Sequence, residues 1–186
     1  MSLPPRPLRI GPLLVVAVLA CSTVRVSSDY DPETDFGAYR RYAWLPDTPE
    51  ATGHPRLDSP MVQDRVRRGI DRSLTEKGYG LGGEQADFFV TYHLAVDRKL
   101  DIRTTDHGLY GRYGYRMSIP ETTVQEYDEG SLIIDVVDAK RKQVVWRGVG
   151  TGRLRGASGA EDPVRLQERV YEVVDEVLVD FPPQRK

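Results

Sequence analysis

Few side chains in this sequence of 186 residues are suited to catalysis or metal binding. Cys21 is the only thiol, so a disulfide within the chain is excluded. The three histidines, His54, His93 and His107, are far apart, whereas a metal site needs clustered ligands, such as two histidines at helical spacing beside a carboxylate. The sequence also has no Gly-x-Ser-x-Gly elbow and no phosphate-binding Gly-x-x-x-x-Gly-Lys loop. We therefore predict a non-enzymatic protein that uses no metal or cofactor.

The one thiol lies directly after a segment that has the features of a secretory signal. Arg6 and Arg9 precede an apolar stretch at residues 10–20, which is too short to span a bilayer as a helix. The stretch ends in Val-Leu-Ala directly before Cys21, which resembles the lipobox of bacterial lipoproteins. This resemblance implies that the thiol receives a diacylglyceryl group, that the signal is cleaved before it, and that the new amine is acylated, for example with palmitate. Two or three such chains hold a protein firmly, because each buried methylene contributes about 0.8 kcal/mol.

Two alternatives to lipidation remain open. Either the protein is secreted without a lipid and Cys21 follows the cleavage site by chance, or the apolar segment is retained as an N-terminal anchor. Ser22 bears on the destination, because an aspartate at this position commonly retains Gram-negative lipoproteins in the inner membrane. The resemblance therefore implies a lipid-anchored protein of the cell envelope, on the outer membrane and facing the periplasm.

The rest of the chain has the composition of one soluble domain with mixed charge. Two of the 26 Lys and Arg residues lie in the first twenty positions, which leaves 24 against 28 Asp and Glu. These charges are interspersed and form no basic stripe, so we do not expect nucleic acid as a partner. The predicted organisation is a cleaved signal peptide at 1–20, a lipidated N-terminus at 21–22, one domain at 23–181 and a C-terminal tail at 182–186.

Apolar periodicity predicts two helices and about six strands. One helix begins at Ser59-Pro60 and the other at Asp162-Pro163. Alternating apolar and polar residues predict strands at 23–30, 39–45, 87–96, 122–127, 131–137 and 143–154. Short connections in the second half of the chain, such as 138–142, favour antiparallel hairpins. We therefore predict an α+β fold, a single two-layer sandwich in which both helices cover one face of a mainly antiparallel sheet.

The connections between these elements hold the remaining candidates. The proline-rich segment 46–58 predicts a surface loop in which His54 is exposed. Residues 97–118 turn polar and rich in Gly and Tyr, and the segment 106–116 is the candidate binding surface, because Tyr and Arg offer flat area and hydrogen-bond donors. Its candidate residues are Tyr110, Arg112, Tyr113, Tyr115 and Arg116. The alternative interpretation is a flexible hairpin tip whose tyrosines lie back on the domain.

The sequences of several segments, and the order in which they occur, resemble the bacterial DUF4136 family of lipoproteins. The resemblance covers about residues 23–181 and is carried by Val24–Asp31, Asp35–Tyr39, Tyr42–Trp44, Ala86–His93 and Leu132–Asp138 leading to Val144–Gly148. It implies an envelope lipoprotein whose activity is not established, and it supplies no catalytic or binding residues to carry over.

The large aromatic side chains in these segments suit a core better than a ligand site. They are Phe36, Tyr39, Tyr42, Trp44 and Trp146. The leading hypothesis is therefore a structural or assembly factor of the envelope, with the membrane as a partner through its lipid and with envelope proteins, peptidoglycan or lipopolysaccharide as further partners. The second hypothesis is a module that binds a glycan or small ligand through the segment 106–116.

Overall fold

A six-stranded sheet forms the frame of the protein. The computed structural model describes residues 24–46, 51–110, 116–154 and 162–184. The strands are β1 (Arg25–Tyr30), β2 (Arg41–Trp44), β3 (Gly80–Leu81), β4 (Phe88–Tyr110), β5 (Arg116–Asp138) and β6 (Val144–Arg153), in the spatial order β1-β6-β5-β4-β2-β3. β2 is parallel to β3 and β4, and the other neighbouring strands are antiparallel. With the two helices described next, this confirms the predicted α+β fold.

The helices α1 (Pro60–Glu76) and α2 (Pro163–Val177) pack on one face of the sheet. Each begins with a proline in its first turn, where the missing amide proton costs nothing. Asp162 caps α2, because its carboxylate accepts a hydrogen bond from the backbone amide of Val164. Ser59 holds the same position before α1, but its side chain makes no capping hydrogen bond. The residues that the helices bury together include Val66, Ile70, Leu74, Val174 and Val177.

Aromatic rings fill one end of the space between the helices and the sheet. Phe88 of β4 is fully buried, and its ring lies 5.1 Å from that of Tyr39 and 5.8 Å from that of Phe181, measured between centroids. Trp146 of β6 lies 5.2 Å from Phe181 in the same way. Of the five aromatic residues predicted for the core, four are buried and Trp44 is partly buried. This prediction is therefore confirmed.

The turn between β5 and β6 lies at the same end, and it confirms the predicted hairpin at 138–142. The backbone amide of Lys142 donates to the carbonyl oxygen of Asp138 at 2.9 Å. The hydroxyl of Tyr39 donates to the Asp138 carboxylate at 2.7 Å. Burial, followed by this hydrogen bond, raises the pKa of Tyr39, so the ring remains neutral and can stay in the core.

The strands β4 and β5 are much longer than predicted. Each has 23 residues, and they pair with each other along their whole length. The strands predicted at 122–127 and 131–137 are one strand, and the predicted polar connection at 97–118 is mostly strand. Beyond Asp97 and Glu129, no third strand in the described ranges pairs with either one. Residues 98–110 and 116–128 thus form a two-stranded ribbon, about 43 Å long at about 3.3 Å per residue.

Candidate functional site

The ribbon and the start of β1 lie at the same end of the sheet. Arg25, the first residue of β1, pairs with Thr151 near the end of β6. Arg153, the last residue of β6, pairs with Glu129 at the base of the ribbon. The chain therefore enters the domain beside the ribbon. We call this the ribbon end of the sheet, and the aromatic part of the core lies at the opposite end.

An apolar cavity of about 270 Å³ lies at the ribbon end, between the helices and the sheet. The strand β6 contributes Gly150 and Gly152 to it, and these residues have no side chain to fill the space. Glycine is required at 150, because a Cβ atom there would lie 2.6 Å from Cγ2 of Val177 in α2. The apolar walls are aliphatic and include Val62, Val66, Leu94, Leu132, Leu166, Val170 and Val173.

Three arginines from different parts of the chain are also among the residues that line this cavity. They are Arg56 before α1, Arg153 at the end of β6, and Arg169 in α2. None of the described residues that line the cavity is an aspartate or a glutamate. Arg153 alternates with the glycines that face the cavity, and its guanidinium bonds to Asp101 on the other side of the sheet.

His54 also lines the cavity. The prediction that this side chain is exposed is therefore wrong. Its side chain is 23% exposed, and its Nε2 atom lies 3.9 Å from Oδ2 of Asp128 at the base of the ribbon. Asp58 shapes this loop, because its carboxylate accepts backbone hydrogen bonds from Thr52 at 2.7 Å and Gly53 at 3.0 Å. The bond from Thr52 is the main reason that the pKa of Asp58 is lowered. Composition alone does not reveal such a folded-back loop.

The base of the ribbon is held by Arg153, which also lines the cavity. Its guanidinium lies 3.8 Å from the ring centroid of Tyr127, and its Nη2 atom lies 3.4 Å from Oδ2 of Asp101. Arg103 reaches the same carboxylate at 3.0 Å, and its hydrogen bond is the main reason that the pKa of Asp101 is lowered. These contacts join β6 to both strands of the ribbon.

Three exposed apolar side chains lie together on one face of the ribbon. Ile102 of β4 lies opposite Val124 of β5, and Leu100 is two positions away on the same face. These three side chains are 63%, 56% and 58% exposed, respectively. Charged residues such as Lys99, Asp101 and Arg103 alternate with them and occupy the other face. Leu100, Ile102 and Val124 therefore form an exposed apolar patch, with Glu126 opposite Leu100 on the same face, and nothing in the described structure covers it.

The sheet face without helices carries an ion pair that the sequence analysis did not identify. Asp135 of β5 is only 3% exposed, and it lies directly opposite Arg147 of β6. The Nε and Nη2 atoms of Arg147 donate to the two carboxylate oxygens at 2.6 and 2.7 Å. A single acidic residue within the apolar run Leu132–Val137 was the available signal. The partner becomes evident only once the register of β5 and β6 is known.

The structure places the predicted binding residues at the far end of the ribbon. Tyr110 pairs with Arg116 across the hairpin, so residues 106–110 and 116 belong to strands rather than to a loop. Arg112, Tyr113 and Tyr115 lie outside the described residues, as does Cys21. Their predicted roles in binding and lipidation remain predictions.

The described ranges also bear on metal binding and on membrane crossing. Within them, no three His, Cys, Asp or Glu side chains come together in a way that could hold a metal ion. No helix in the described part of the chain is both long enough and apolar enough to span a bilayer.

Comparisons with known proteins provide a family and a fold. The sequence profile of a family described as a domain of unknown function, DUF4136, matches residues 26–183. The crystal structure of a PDZ domain protein from Parabacteroides distasonis ATCC 8503 is similar, with a TM-score of 0.52 and 14% sequence identity. The match covers 88% of this chain but only 37% of the length of that protein. A PelC dodecamer from Paraburkholderia phytofirmans has a TM-score of 0.47 at 13% identity, over 87% of this chain and 99% of that one. No curated protein matches the sequence. The likeness to the first structure shows the fold alone.

Proposed function

We propose that this chain, which belongs to the DUF4136 family, is a lipid-anchored protein of the cell envelope that acts as a non-enzymatic assembly factor through its ribbon. The ribbon is the observation that supports this role. It extends about 43 Å beyond the sheet, and the apolar side chains of Leu100, Ile102 and Val124 lie exposed along it. An arm of this kind is suited to holding another protein.

Physical chemistry gives two reasons why the ribbon needs a partner. A hairpin of two strands is at best marginally stable in water, because it has too little apolar area to bury. Beyond the body of the sheet, both of its edges also present unpaired backbone amides and carbonyls, which readily accept a further strand. A partner that covers Leu100, Ile102 and Val124, or that adds a strand to an edge, would remove both liabilities. We therefore propose an envelope protein as the partner.

The proposed anchor would bring this arm close to the membrane. Cys21 precedes Val24 by three residues, which span at most about 10 Å when extended. Val24 enters the sheet at the ribbon end, so lipid chains on Cys21 would place that end towards the bilayer. The ribbon would then meet its partner at or near the membrane surface.

The proposed anchor is tested by replacing Cys21. The intact mass of the membrane-extracted wild-type protein is expected to fit a chain that begins at Cys21 and carries a diacylglyceryl group, with or without an amide-linked fatty acid. Cys21→Ser is expected to abolish this modification completely and to yield a soluble or uncleaved form, because a hydroxyl is not the lipid acceptor. Thr23→Ala is the matched control and should be lipidated normally. An unmodified wild-type protein that starts at another residue would refute the anchor.

The proposed role of the ribbon is tested by crosslinking in intact cells. A photoreactive amino acid at Leu100 is expected to form one discrete adduct with an envelope protein, because this side chain lies on the exposed apolar face. The same group at Val179, which is equally exposed on the body of the domain, is the control and should form none. Ile102→Glu should reduce the adduct at Leu100 at least tenfold, since it places a charge in the contact.

The crosslinking results also distinguish a specific contact of the ribbon from nonspecific binding to exposed apolar side chains. Equal adducts at Leu100 and Val179, or an adduct at Leu100 that survives Ile102→Glu, would show that the ribbon is not the specific contact. Circular dichroism of the Ile102→Glu protein should match that of the wild type, because Ile102 is exposed and belongs to no buried cluster.

A further inference from the structure

We infer that the outer edge of β4 pairs with the same edge of a second copy of this chain, so that two ribbons join into one four-stranded sheet. The two β4 strands run antiparallel about a two-fold axis at Leu100. This pairing uses the edge of the strand, whereas the proposed contact with an envelope protein uses the face that carries Leu100, Ile102 and Val124. The two surfaces are different, so the dimer does not depend on that contact.

The outer edge of β4 is open along most of the strand. β2 pairs with β4 only from Phe88 to Val90, and the amide of Leu45 donates to the carbonyl oxygen of Val90 at 2.9 Å. Beyond Val90, no strand in the described ranges pairs with this edge. The register between β4 and β5 continues without a shift, so every second residue from Val90 onwards, including Leu100 and Ile102, presents its amide and carbonyl to the open edge.

This edge lacks the backbone features that commonly block the addition of a strand. The segment from Thr91 to Thr105 contains neither proline nor glycine, and no bulge interrupts it. The outer edge of β5 differs. Pro120 lies opposite Asp106, an outward-facing position of β4, so β5 has no amide to offer at this point of its own outer edge. The edge of β4 is therefore the better of the two for pairing.

The charged side chains of this edge are complementary to themselves. Antiparallel pairing about position 100 places Asp97 opposite Arg103 of the second copy, and Lys99 opposite its Asp101. Within one chain, Asp97 contacts Lys99 at 3.7 Å and Arg103 contacts Asp101 at 3.0 Å, but the side chains of Asp97 and Arg103 are still 70% and 73% exposed. The second copy extends these pairs into a network in which the charge alternates along and across the strands.

Neighbouring registers match less well. An axis at Lys99 or at Asp101 sets identical charges opposite each other, and so does an axis at Arg98. An axis at Ile102 leaves Lys99 opposite the uncharged Thr105. The proposed axis is the one of these five that gives all four alternating charges an opposite charge, and such pairing is what fixes the register of an edge.

The dimer also makes the ribbon a sturdier structure. A two-stranded hairpin is marginally stable in water, whereas three or more strands with an apolar face are stable. In the joined sheet the two copies of Leu100 lie opposite each other, with Ile102 and Val124 of each copy close by on the same face. The two exposed apolar patches thus become one. A two-fold contact of this kind also closes on itself, so it stops at two copies.

Sedimentation equilibrium of the full-length protein, in a detergent matched in density to the solvent, measures the association. The wild type is expected to show a reversible equilibrium between monomer and dimer with no other envelope component present. Asp97→Lys and Arg103→Glu should each raise the dissociation constant of the dimer at least tenfold, because each sets like charges opposite each other at two places in the dimer.

Mixing the two variants provides the sharpest comparison. In a mixed dimer of Asp97→Lys with Arg103→Glu, every one of these contacts again joins opposite charges, so the mixture should recover the wild-type dissociation constant to within about threefold. Any effect of either variant within its own chain is the same alone and in the mixture. Arg68→Glu is the control, because Arg68 is also an exposed arginine that pairs with an aspartate of its own chain, and it should leave the dimer unchanged.

Single cysteines test the register. Leu100→Cys should form a disulfide-linked dimer on mild oxidation, because Cβ atoms of directly opposite residues lie about 4.5–5.5 Å apart. Ile102→Cys is the matched control and should form at least tenfold less, since its two copies lie four residues apart along the strands, about 13 Å. The parent protein, with Cys21 alone, gives the background.

Three results would overturn the dimer: a wild type that stays monomeric throughout the concentration series, a mixture that associates no better than its components, or Ile102→Cys dimers as abundant as Leu100→Cys dimers. Ile102→Glu separates the dimer from the proposed contact with an envelope protein. It should leave the dimer intact, because it faces Arg98 of the second copy, while it removes the envelope adduct. A dimer without that adduct would count against the envelope contact alone, and the adduct without a dimer would count against the pairing alone.

Discussion

Arg147→Met is expected to lower the free energy of unfolding by about 3 kcal/mol, because it leaves the carboxylate of Asp135 buried without its partner. Breaking a buried ion pair on one side typically costs about 3–5 kcal/mol. We expect the lower end of this range, because the side chain of Arg147 is itself 52% exposed and water can reach the site once it is shortened. Unfolding in urea, followed by circular dichroism, measures the effect.

The matching double variant distinguishes a lost partner from a lost side chain. Asp135→Leu combined with Arg147→Met should recover most of the stability, since two apolar side chains on facing strands replace the pair. Arg25→Met, which removes another arginine paired across strands, is the control and should cost less than about 1 kcal/mol, because Arg25 is mostly exposed. If Arg147→Met cost no more than Arg25→Met, the pair would have no special role in stability.

Gly148→Ala is expected to destabilise the protein by about 3 kcal/mol, a large effect for a single added methyl group. The new Cβ atom would lie 2.3 Å from Cη2 of Trp146, and 2.8 Å and 2.9 Å from Cγ1 and the carbonyl oxygen of Val177. Trp146 and Val177 are both buried, so neither can move away into solvent. The helix α2 must shift or the indole must leave its position, and each disturbs the packing of the core.

Gly80→Ala provides the control for this substitution. Gly80 is also in a strand, but a Cβ atom there has no neighbour within 4 Å. The change should therefore alter the free energy of unfolding by less than about 0.5 kcal/mol. Thermal unfolding of both variants, with tryptophan fluorescence as the signal, would compare them directly. Equal melting temperatures would mean that α2 does not press on β6 as closely as these distances indicate.

The fold class could be predicted because its signals are local. Val66, Ile70 and Leu74 repeat at helical spacing, and Phe88, Val90 and Tyr92 alternate along a strand, so each element reveals its buried face by itself. The ribbon was missed for the opposite reason. Leu100 and Ile102 do alternate with charged residues, but neither face of the ribbon is buried, so its pattern is too weak to distinguish a strand from a polar loop.

The cavity and the ion pair could not be predicted, since both depend on contacts between distant residues. Asp135 and Arg147 meet through the register of two strands, and His54 reaches the cavity through a loop that its own hydrogen bonds shape. The two-residue strand β3 likewise exists only because it pairs with β2. The sequence does carry one signal of close packing: the glycines at 148, 150 and 152 lie on one face of a strand, which is typical of close approach by a neighbouring element.

Arg153 ties the base of the ribbon to the end of β6. Its guanidinium stacks on Tyr127 and bonds to Asp101, one residue from each strand of the ribbon, and its backbone pairs with Glu129. The ribbon reaches about 43 Å beyond this junction. A force on its far tip would therefore be transmitted to the sheet through the two strands and this one side chain.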